Sequence, residues 1–181
     1  MARIAIIGDG PAGLSAALFL AKNGHDTTVY GTDDTLMHHA HLHNYLGVVD
    51  TSGSDFQATA RRQVTEAGAT LHDTEVEAVT TGERTLTVTL DGGETDEVDH
   101  LVIAGGRGSK ALATSLGVAV DDGAVVVDGD ARTSVDRVYA AGHLVRPERS
   151  QAITSAGLGA AAALDILSRE AGEDVHDWDS P

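Results

Sequence analysis

A glycine-rich segment near the N-terminus constrains the fold more than any other feature of the chain. Residues 8–13 read Gly-Asp-Gly-Pro-Ala-Gly, which is the spacing G-x-G-x-x-G. The apolar run Arg3 to Ile7 precedes it and predicts a buried strand, and Leu14 to Asn23 predicts a helix ended by Gly24. A second strand over Thr27 to Tyr30 completes a strand–helix–strand unit, so we expect a parallel sheet with a right-handed crossover.

The three glycines have separate roles in a dinucleotide-binding turn. Gly8 permits the tight turn, Gly10 lets the backbone approach a pyrophosphate, and Gly13 lets the helix pack closely on the strand. The helix N-terminus favours phosphate charge, so Pro11 and Ala12 are candidate contacts as well. The alternative is a glycine-rich turn without a ligand. The motif alone does not distinguish FAD from NAD.

The end of the second predicted strand supplies the candidate ribose contact. The segment Gly31-Thr32-Asp33-Asp34 follows that strand directly. In dinucleotide-binding folds an acidic side chain at this position accepts hydrogen bonds from ribose hydroxyls. Asp33 is placed for this role, and its neighbour Asp34 is the alternative.

The rest of the chain predicts a single α/β domain over residues 1–169, followed by an acidic, flexible tail over 170–181. A length of 181 residues suits one domain. The patterns indicate an amphipathic helix, a pair of antiparallel strands, three further short strands and a long alanine-rich helix. In that order these lie at Asp55–Ala67, Glu75–Thr80, Arg84–Leu90, His100–Ala104, Ala124–Asp128, Arg137–Ala141 and Gln151–Arg169.

Composition excludes several classes of protein. The chain has no cysteine, so its own residues form no disulfide, thiolate metal site or cysteine nucleophile. With 28 acidic and 12 basic side chains the formal net charge is −16, which argues against nucleic-acid binding. No apolar run has the length of a membrane span. Because the acids are spread along the whole chain, we expect a cytoplasmic protein from a salt-loving organism.

Four ordered segments resemble one family, the pyridine nucleotide–disulfide oxidoreductases. The segment Thr133 to His143 resembles the second FAD fingerprint of that family. The segments Gln151 to Gly157, Asn44-Tyr45-x-Gly47 and Leu101 to Gly105 resemble parts of its bacterial-type thioredoxin reductases. The resemblance covers Ile4 to about Leu167, nearly the whole chain.

The resemblance implies a Rossmann-like three-layer FAD-binding fold, with a parallel sheet plus a small antiparallel β-meander. It places the pyrophosphate at the first glycine motif and the flavin near the second fingerprint. A helix start over Ser150 to Ala152 would stabilise negative charge on the flavin. The cofactor-binding residues added by the resemblance are Asn44, Ala104, Gly105, Gly142, His143, Gln151 and Ala152; it assigns no catalytic residue and no metal ligand.

His143 departs most sharply from the family pattern, which has aspartate there to accept a bond from a ribityl hydroxyl. A neutral histidine can accept one such bond through its unprotonated ring nitrogen. Two interpretations stay open: a functional histidine near the flavin, or a tolerated replacement in a weakened or lost flavin site. Leu46 and Gly105 also depart from the proline and threonine that are usual in the family.

The loop Met37 to Tyr45 holds four histidines within His38-His39-Ala40-His41-Leu42-His43. Alternating His39, His41 and His43 would share one face of an extended segment. Three interpretations stay open: a loop that contacts flavin and protonates it, a solvated polar loop, or a transition-metal site.

The chain lacks two parts of a thioredoxin reductase. It runs from Ala104 to the second fingerprint without room for the NADPH domain, and it has no C-x-x-C pair. The leading hypothesis is therefore an FAD-dependent oxidoreductase that exchanges electrons with a separate redox protein or a small-molecule acceptor, as a homodimer. The alternatives are a non-catalytic flavin- or nucleotide-binding protein acting as a sensor or subunit, and an NAD(P)-binding module.

Overall fold

The N-terminal strand–helix–strand unit is present as predicted. The structure is a computed structural model that describes residues 1–105 and 108–178. Strand β1 (Arg3–Ile7) leads into helix α1 (Pro11–Lys22), and β2 (Asp26–Tyr30) follows. Helix α1 begins three residues before the predicted Leu14, because proline lacks an N–H and its fixed φ suits the first helical position. Gly24 follows the helix with a φ of +80°.

In the described residues, the remaining elements are short strands and three further helices. Single 3₁₀ turns occur at Leu36–His39, Gly142–Leu144 and Pro147–Arg149. The elements in chain order are β3 (His41–Leu42), β4 (Thr51–Ser52), α2 (Gly53–Glu66), β5 (Thr70–His72), β6 (Val76–Thr81), β7 (Leu86–Leu90), β8 (Thr95–Val98), β9 (His100–Ile103), α3 (Ser109–Ser115), β10 (Val120–Asp121), β11 (Ala124–Val125), β12 (Val138–Ala140) and α4 (Ala152–Ala171).

A five-stranded parallel sheet forms the centre of the molecule. Its strand order is β12-β9-β1-β2-β5, and β1 pairs with β2 on one side and β9 on the other. The strand order reverses between β1 and β9. In such sheets ligands bind at this reversal, outside the carboxyl ends of the strands. Ile7 and Ile103, which are paired in register, mark those ends here.

Side chains of the central strand alternate between two apolar cores. Ile4 and Ile6 pack into the core formed with helices α1 and α4. Ala5 and Ile7 pack into the core formed with the antiparallel meander β6-β7-β8. The molecule thus has three layers: helices, parallel sheet and meander. This confirms the predicted α/β fold.

Helices α1 and α4 approach each other at backbone distance. A Cβ atom at Gly159 would lie 2.0 Å from the carbonyl oxygen of Ala12. Ala16, Ala162 and Ala163 are fully buried in the same core. The small residues of α4 therefore serve close packing against α1, directly beside the first glycine motif.

Several parts of the chain differ from the predicted pattern, among them the unpredicted short strands β3, β4, β5 and β10. The predicted strand over residues 124–128 is shorter, since β11 ends at Val125 and Asp128 closes a turn by accepting from the backbone N–H of Asp130 and Arg132. Strand β8 and helix α3 had not been predicted. Their positions depend on pairing with β7 and on packing against the meander, which local patterns do not report.

The C-terminal segment contacts the domain as far as the structure describes it. Helix α4 ends at Ala171, two residues beyond the predicted Arg169. The backbone N–H of Val175 donates to Ser168 Oγ at 2.9 Å, and Asp177 lies 3.2 Å from Lys22. The division into a domain over 1–169 and a flexible tail stays a prediction, and residues 179–181 of that tail lie outside the described residues.

Within the described ranges, no helix combines the length and apolar character needed to cross a membrane.

Candidate functional site

A cavity of about 1500 Å³ lies where the strand order reverses. Its walls come from the first glycine motif, the loop over residues 34–44, the residues after β9, helix α3 and the start of α4. Most of the predicted site residues line it: Gly8, Gly10, Pro11, Ala12, Asn44, Ala104, Gly105, Gly142, His143, Gln151 and Ala152. Their role in binding a cofactor stays a prediction, but the fold brings them to one cavity.

The three motif glycines differ in what their missing side chains allow. Gly8 has a φ of +101°, and a Cβ there would lie 2.4 Å from the carbonyl oxygen of Gly105. A Cβ at Gly13 would lie 1.9 Å from the carbonyl oxygen of Gly8, so this glycine serves packing and lies behind the cavity wall. Gly10 faces the cavity, and the nearest atom to its added Cβ is Thr35 Oγ1 at 3.5 Å. The described residues therefore leave room for a Cβ at residue 10, where a ligand in the cavity would come close to the backbone.

Asp34 lines the cavity, whereas Asp33 lies beside the cavity and contacts neighbouring side chains. Gln57 Nε2 donates to Asp33 Oδ1 at 3.1 Å, and His38 Nε2 lies 3.3 Å from the same oxygen. The Asp33 backbone N–H donates to Asp9 Oδ2 at 3.0 Å. Both acidic side chains therefore stay candidates for the ribose contact, with different surroundings.

A buried polar network beneath this turn was missed from the sequence. The side chain of Asp9 forms an ion pair with Arg61, which also lies 2.9 Å from Asp73. Gln57, fully buried, donates to the carbonyl oxygen of Asp9 at 2.7 Å. Burial raises the pKa of the Asp9 carboxyl, although Arg61 opposes that shift. The sequence feature that could have indicated this network is Gln57, a polar residue next to Phe56 in the predicted amphipathic helix.

The loop before β4 and the start of α4 meet at the opposite wall. Asn44 Nδ2 donates to Gln151 Oε1 at 2.8 Å. The Gln151 backbone N–H donates to Thr154 Oγ1 at 3.0 Å, which caps the helix. The hydroxyl groups of Ser150 and Ser155, which also line the cavity, lie 3.3 Å apart. The helix start predicted to face a flavin thus lines the cavity.

His143 is exposed on the 3₁₀ turn that follows β12 and lines the same wall. Gly142, just before it, has a φ of +72°, and a Cβ there would lie 3.1 Å from the Cβ of Ala12. The turn is therefore packed against helix α1, and this contact fixes the position of residue 143 at the cavity wall.

The four-histidine loop divides into two parts. His38 bonds Ser54 Oγ at 2.9 Å through Nδ1 and faces Asp33, on the side of the first glycine motif. His41 and His43 line the cavity, and their rings stack with centroids 4.7 Å apart. The predicted shared face therefore holds for His41 and His43.

Size, position and lining of the cavity fit an extended dinucleotide. Drug-sized ligands fill about 300–1,000 Å³, and this cavity exceeds that range. It opens at the start of α1, where backbone N–H groups and the helix dipole favour phosphate. The chain thus has the doubly wound α/β fold in which dinucleotides bind at the reversal of strand order.

Comparison with known proteins places the chain within that class. Residues 2–53 and 46–159 match the family described as pyridine nucleotide-disulphide oxidoreductase. The chain belongs to this family. A curated relative, the bifunctional thioredoxin reductase/thioredoxin of Mycobacterium leprae (strain TN), is 32% identical over 180 residues. That match covers 96% of this chain and 37% of the relative, so the chain spans little more than a third of that protein's length.

Solved structures show the same fold at low sequence identity. A thioredoxin reductase from Gloeobacter violaceus gives a TM-score of 0.88 at 18% identity, covering 99% of both chains. A ferredoxin-flavin thioredoxin reductase from Clostridium acetobutylicum gives a TM-score of 0.80 at 17% identity, covering 92% of this chain and 96% of that chain. The family implies a flavin cofactor.

Proposed function

We propose that this chain binds FAD and acts as an oxidoreductase of the thioredoxin-reductase type, exchanging electrons with a separate partner. The observation that carries the proposal is the cavity at the strand reversal, because predicted residues from both FAD fingerprints line it together. When bound, FAD supplies the redox chemistry, and the protein sets its potential and its access to partners.

The chain's own residues provide the groups that such a cofactor needs. The backbone N–H groups of Gly10 and Ala12, together with the positive end of the helix that begins at Pro11, would face the pyrophosphate. Asp33 or Asp34 accepts from the adenosine ribose. Asn44 and Gln151 hold the flavin-side wall together. Comparing Asp33→Asn with Asp34→Asn tests the ribose contact: we expect the larger loss of FAD affinity for Asp34→Asn, since Asp34 lines the cavity.

The electron partner is a separate redox protein or a small diffusible acceptor. The sequence contains no cysteine, so the chain itself cannot exchange dithiols. It also runs from Ala104 to the second fingerprint without room for an NADPH domain. The ferredoxin-flavin reductase among its structural neighbours makes a ferredoxin-like donor a specific candidate. We propose a homodimer in the cytoplasm, which sedimentation of the purified protein and fractionation of source cells test.

A second candidate function is a flavin-binding sensor or subunit without catalysis. The observation that favours it is His143, which lines the cavity where the family has aspartate. His143→Asp tests the position of this residue: if residue 143 contacts the ribityl chain, its replacement changes FAD affinity. An unchanged affinity would remove residue 143 from the flavin site.

The acidic surface fits a cytoplasm rich in salt. A formal charge of −16 produces self-repulsion that added salt screens. We expect the midpoint temperature of thermal unfolding to rise when the KCl concentration is raised from about 0.1 M to about 1 M. A midpoint that does not depend on salt would contradict this adaptation.

One experiment tests the redox proposal directly. The FAD-loaded protein is mixed anaerobically with NADPH or with a chemically reduced ferredoxin, and flavin absorbance is followed. We expect reduction by ferredoxin and none by NADPH alone. Reduction by NADPH alone would overturn the proposal that a separate partner delivers the electrons.

A further inference from the structure

Two imidazoles and one carboxylate converge at the rim of the cavity. His41 Nε2 lies 2.9 Å from Asp50 Oδ1, and the His43 ring stacks on the His41 ring with an interplanar angle of 24°. One ligand atom from each of the three residues lies within 4.8 Å of the others. We propose that His41, His43 and Asp50 bind a divalent transition-metal ion of the zinc class.

The backbone explains why these three residues meet. His41 and His43 are two residues apart on an extended segment, so their side chains point to the same side. Leu42 between them is buried and anchors the segment. Strand β3 pairs with β4 through His41↔Ser52 and Leu42↔Thr51, which brings the residue before β4 back beside the histidines. Asp50 is that residue, and it adopts a φ of +45°.

The donor set selects the kind of ion. Neutral imidazole nitrogens suit Zn²⁺, Cu²⁺ and Ni²⁺, whereas Mg²⁺ and Ca²⁺ prefer oxygen ligands. Two nitrogens and one carboxylate oxygen make a three-ligand site with coordination positions left for water or for a ligand in the cavity.

The distances need only a local adjustment. Bonds of about 2.0–2.1 Å place neighbouring ligand atoms about 3–3.4 Å apart around a tetrahedral ion. The His41–Asp50 distance is already close to that separation. His43 closes the site by a side-chain rotation, which its exposed position permits. Because the three residues are exposed, no buried charge has to be compensated when the metal leaves.

Titration of the tag-free chain with Zn²⁺ tests the site. Isothermal calorimetry is run without FAD, in molar KCl with excess Mg²⁺ so that the many surface carboxylates do not contribute. We expect one Zn²⁺ per chain. His41→Ala, His43→Ala and Asp50→Asn should each weaken binding by at least about tenfold. His39→Ala is the matched control, since His39 is an exposed histidine of the same loop outside the cluster. The affinity of this variant for Zn²⁺ should equal that of the parent chain.

Two results would overturn the site: no stoichiometric Zn²⁺ binding by the parent chain, or equal losses in His39→Ala and His43→Ala. Circular dichroism of each variant in the same buffer confirms that a loss of binding is not a loss of folding. Because the titration uses the chain without FAD, its outcome is independent of whether the flavin proposal holds.

Discussion

Asn44 and Gln151 are 107 residues apart in sequence and are joined by a hydrogen bond of 2.8 Å across one wall of the cavity. The bond links the histidine-rich loop to the first turn of helix α4. The sequence predicts both residues as cofactor contacts from separate segments, and the fold brings their side chains into contact. The loop position therefore depends on α4, and so does any ligand that both elements contact.

A double-mutant cycle measures what this bond contributes to FAD binding. Asn44→Ala and Gln151→Ala should each lower FAD affinity by about fivefold, because a hydrogen bond between exposed groups contributes about 1 kcal/mol. The double variant should lose little more than either single variant, since both remove the same interaction. Fully additive losses, measured by fluorescence titration of FAD, would show that the two residues act separately.

Gly10→Ala separates ligand binding from folding. Among the described residues its Cβ meets only Thr35 Oγ1, at 3.5 Å, and Gly10 has a φ of −74°, so the folded chain tolerates alanine. Loss of the N-cap glycine should cost under about 1 kcal/mol of unfolding free energy. FAD affinity should fall at least about tenfold, because the methyl group occupies the place where backbone approaches the pyrophosphate.

Gly129→Ala is the control for that measurement, since a Cβ there has no neighbour within 4 Å in the part of the chain that the structure describes. It should leave both stability and FAD affinity unchanged. Unaltered FAD binding by Gly10→Ala would place the pyrophosphate away from the first glycine motif.

The α1–α4 contact predicts opposite effects for two glycines of one helix. Gly159→Ala would put a Cβ 2.0 Å from the carbonyl oxygen of Ala12, and such overpacking should lower the unfolding free energy by about 1–3 kcal/mol. In Gly157→Ala the added Cβ meets no atom of residues 1–105 or 108–178 within 4 Å, and the substitution should raise the unfolding free energy by about 0.5–1 kcal/mol through helix propensity. Denaturant unfolding in molar KCl measures both, and equal effects would contradict the helix contact.

Asp165 makes a pH-dependent contribution to stability. Burial alone raises the pKa of its carboxyl, but hydrogen bonds from Arg132 and Tyr139 outweigh burial and lower that pKa. The contribution is therefore present above the unfolded value of about 3.9 and is lost as pH falls through the folded pKa. Asp165→Asn should cost about 1–3 kcal/mol at pH 7, because the Tyr139 hydroxyl and Arg132 lose a charged acceptor.

The difference in unfolding free energy between Asp165→Asn and the parent should shrink as the pH falls below the unfolded value and through the lowered pKa of the parent carboxyl, which then becomes protonated. Asp130→Asn is the control, since Asp130 is an exposed partner 3.7 Å from the same arginine. Its effect should stay below about 0.5 kcal/mol. A pH-independent loss in Asp165→Asn would contradict the ionised hydrogen-bonded carboxylate.

The features that follow from local sequence were predictable, and those that depend on long-range contacts were not. The first strand–helix–strand unit follows from a glycine spacing beside an apolar run, and its bounds differ by a few residues. The pairing of Asp50 with His41 depends on a two-strand hairpin too short to produce an alternating pattern. Likewise, the ion pair of Arg61 with Asp9 joins a helix to a loop that no local pattern connects.

Titration of the apo-protein with FAD in molar KCl tests the central claim most directly. We predict saturation at one FAD per chain, with a yellow protein after gel filtration and a perturbed flavin absorption band. A chain that stays folded in the same buffer, by circular dichroism, yet remains colourless and binds no FAD would contradict the account.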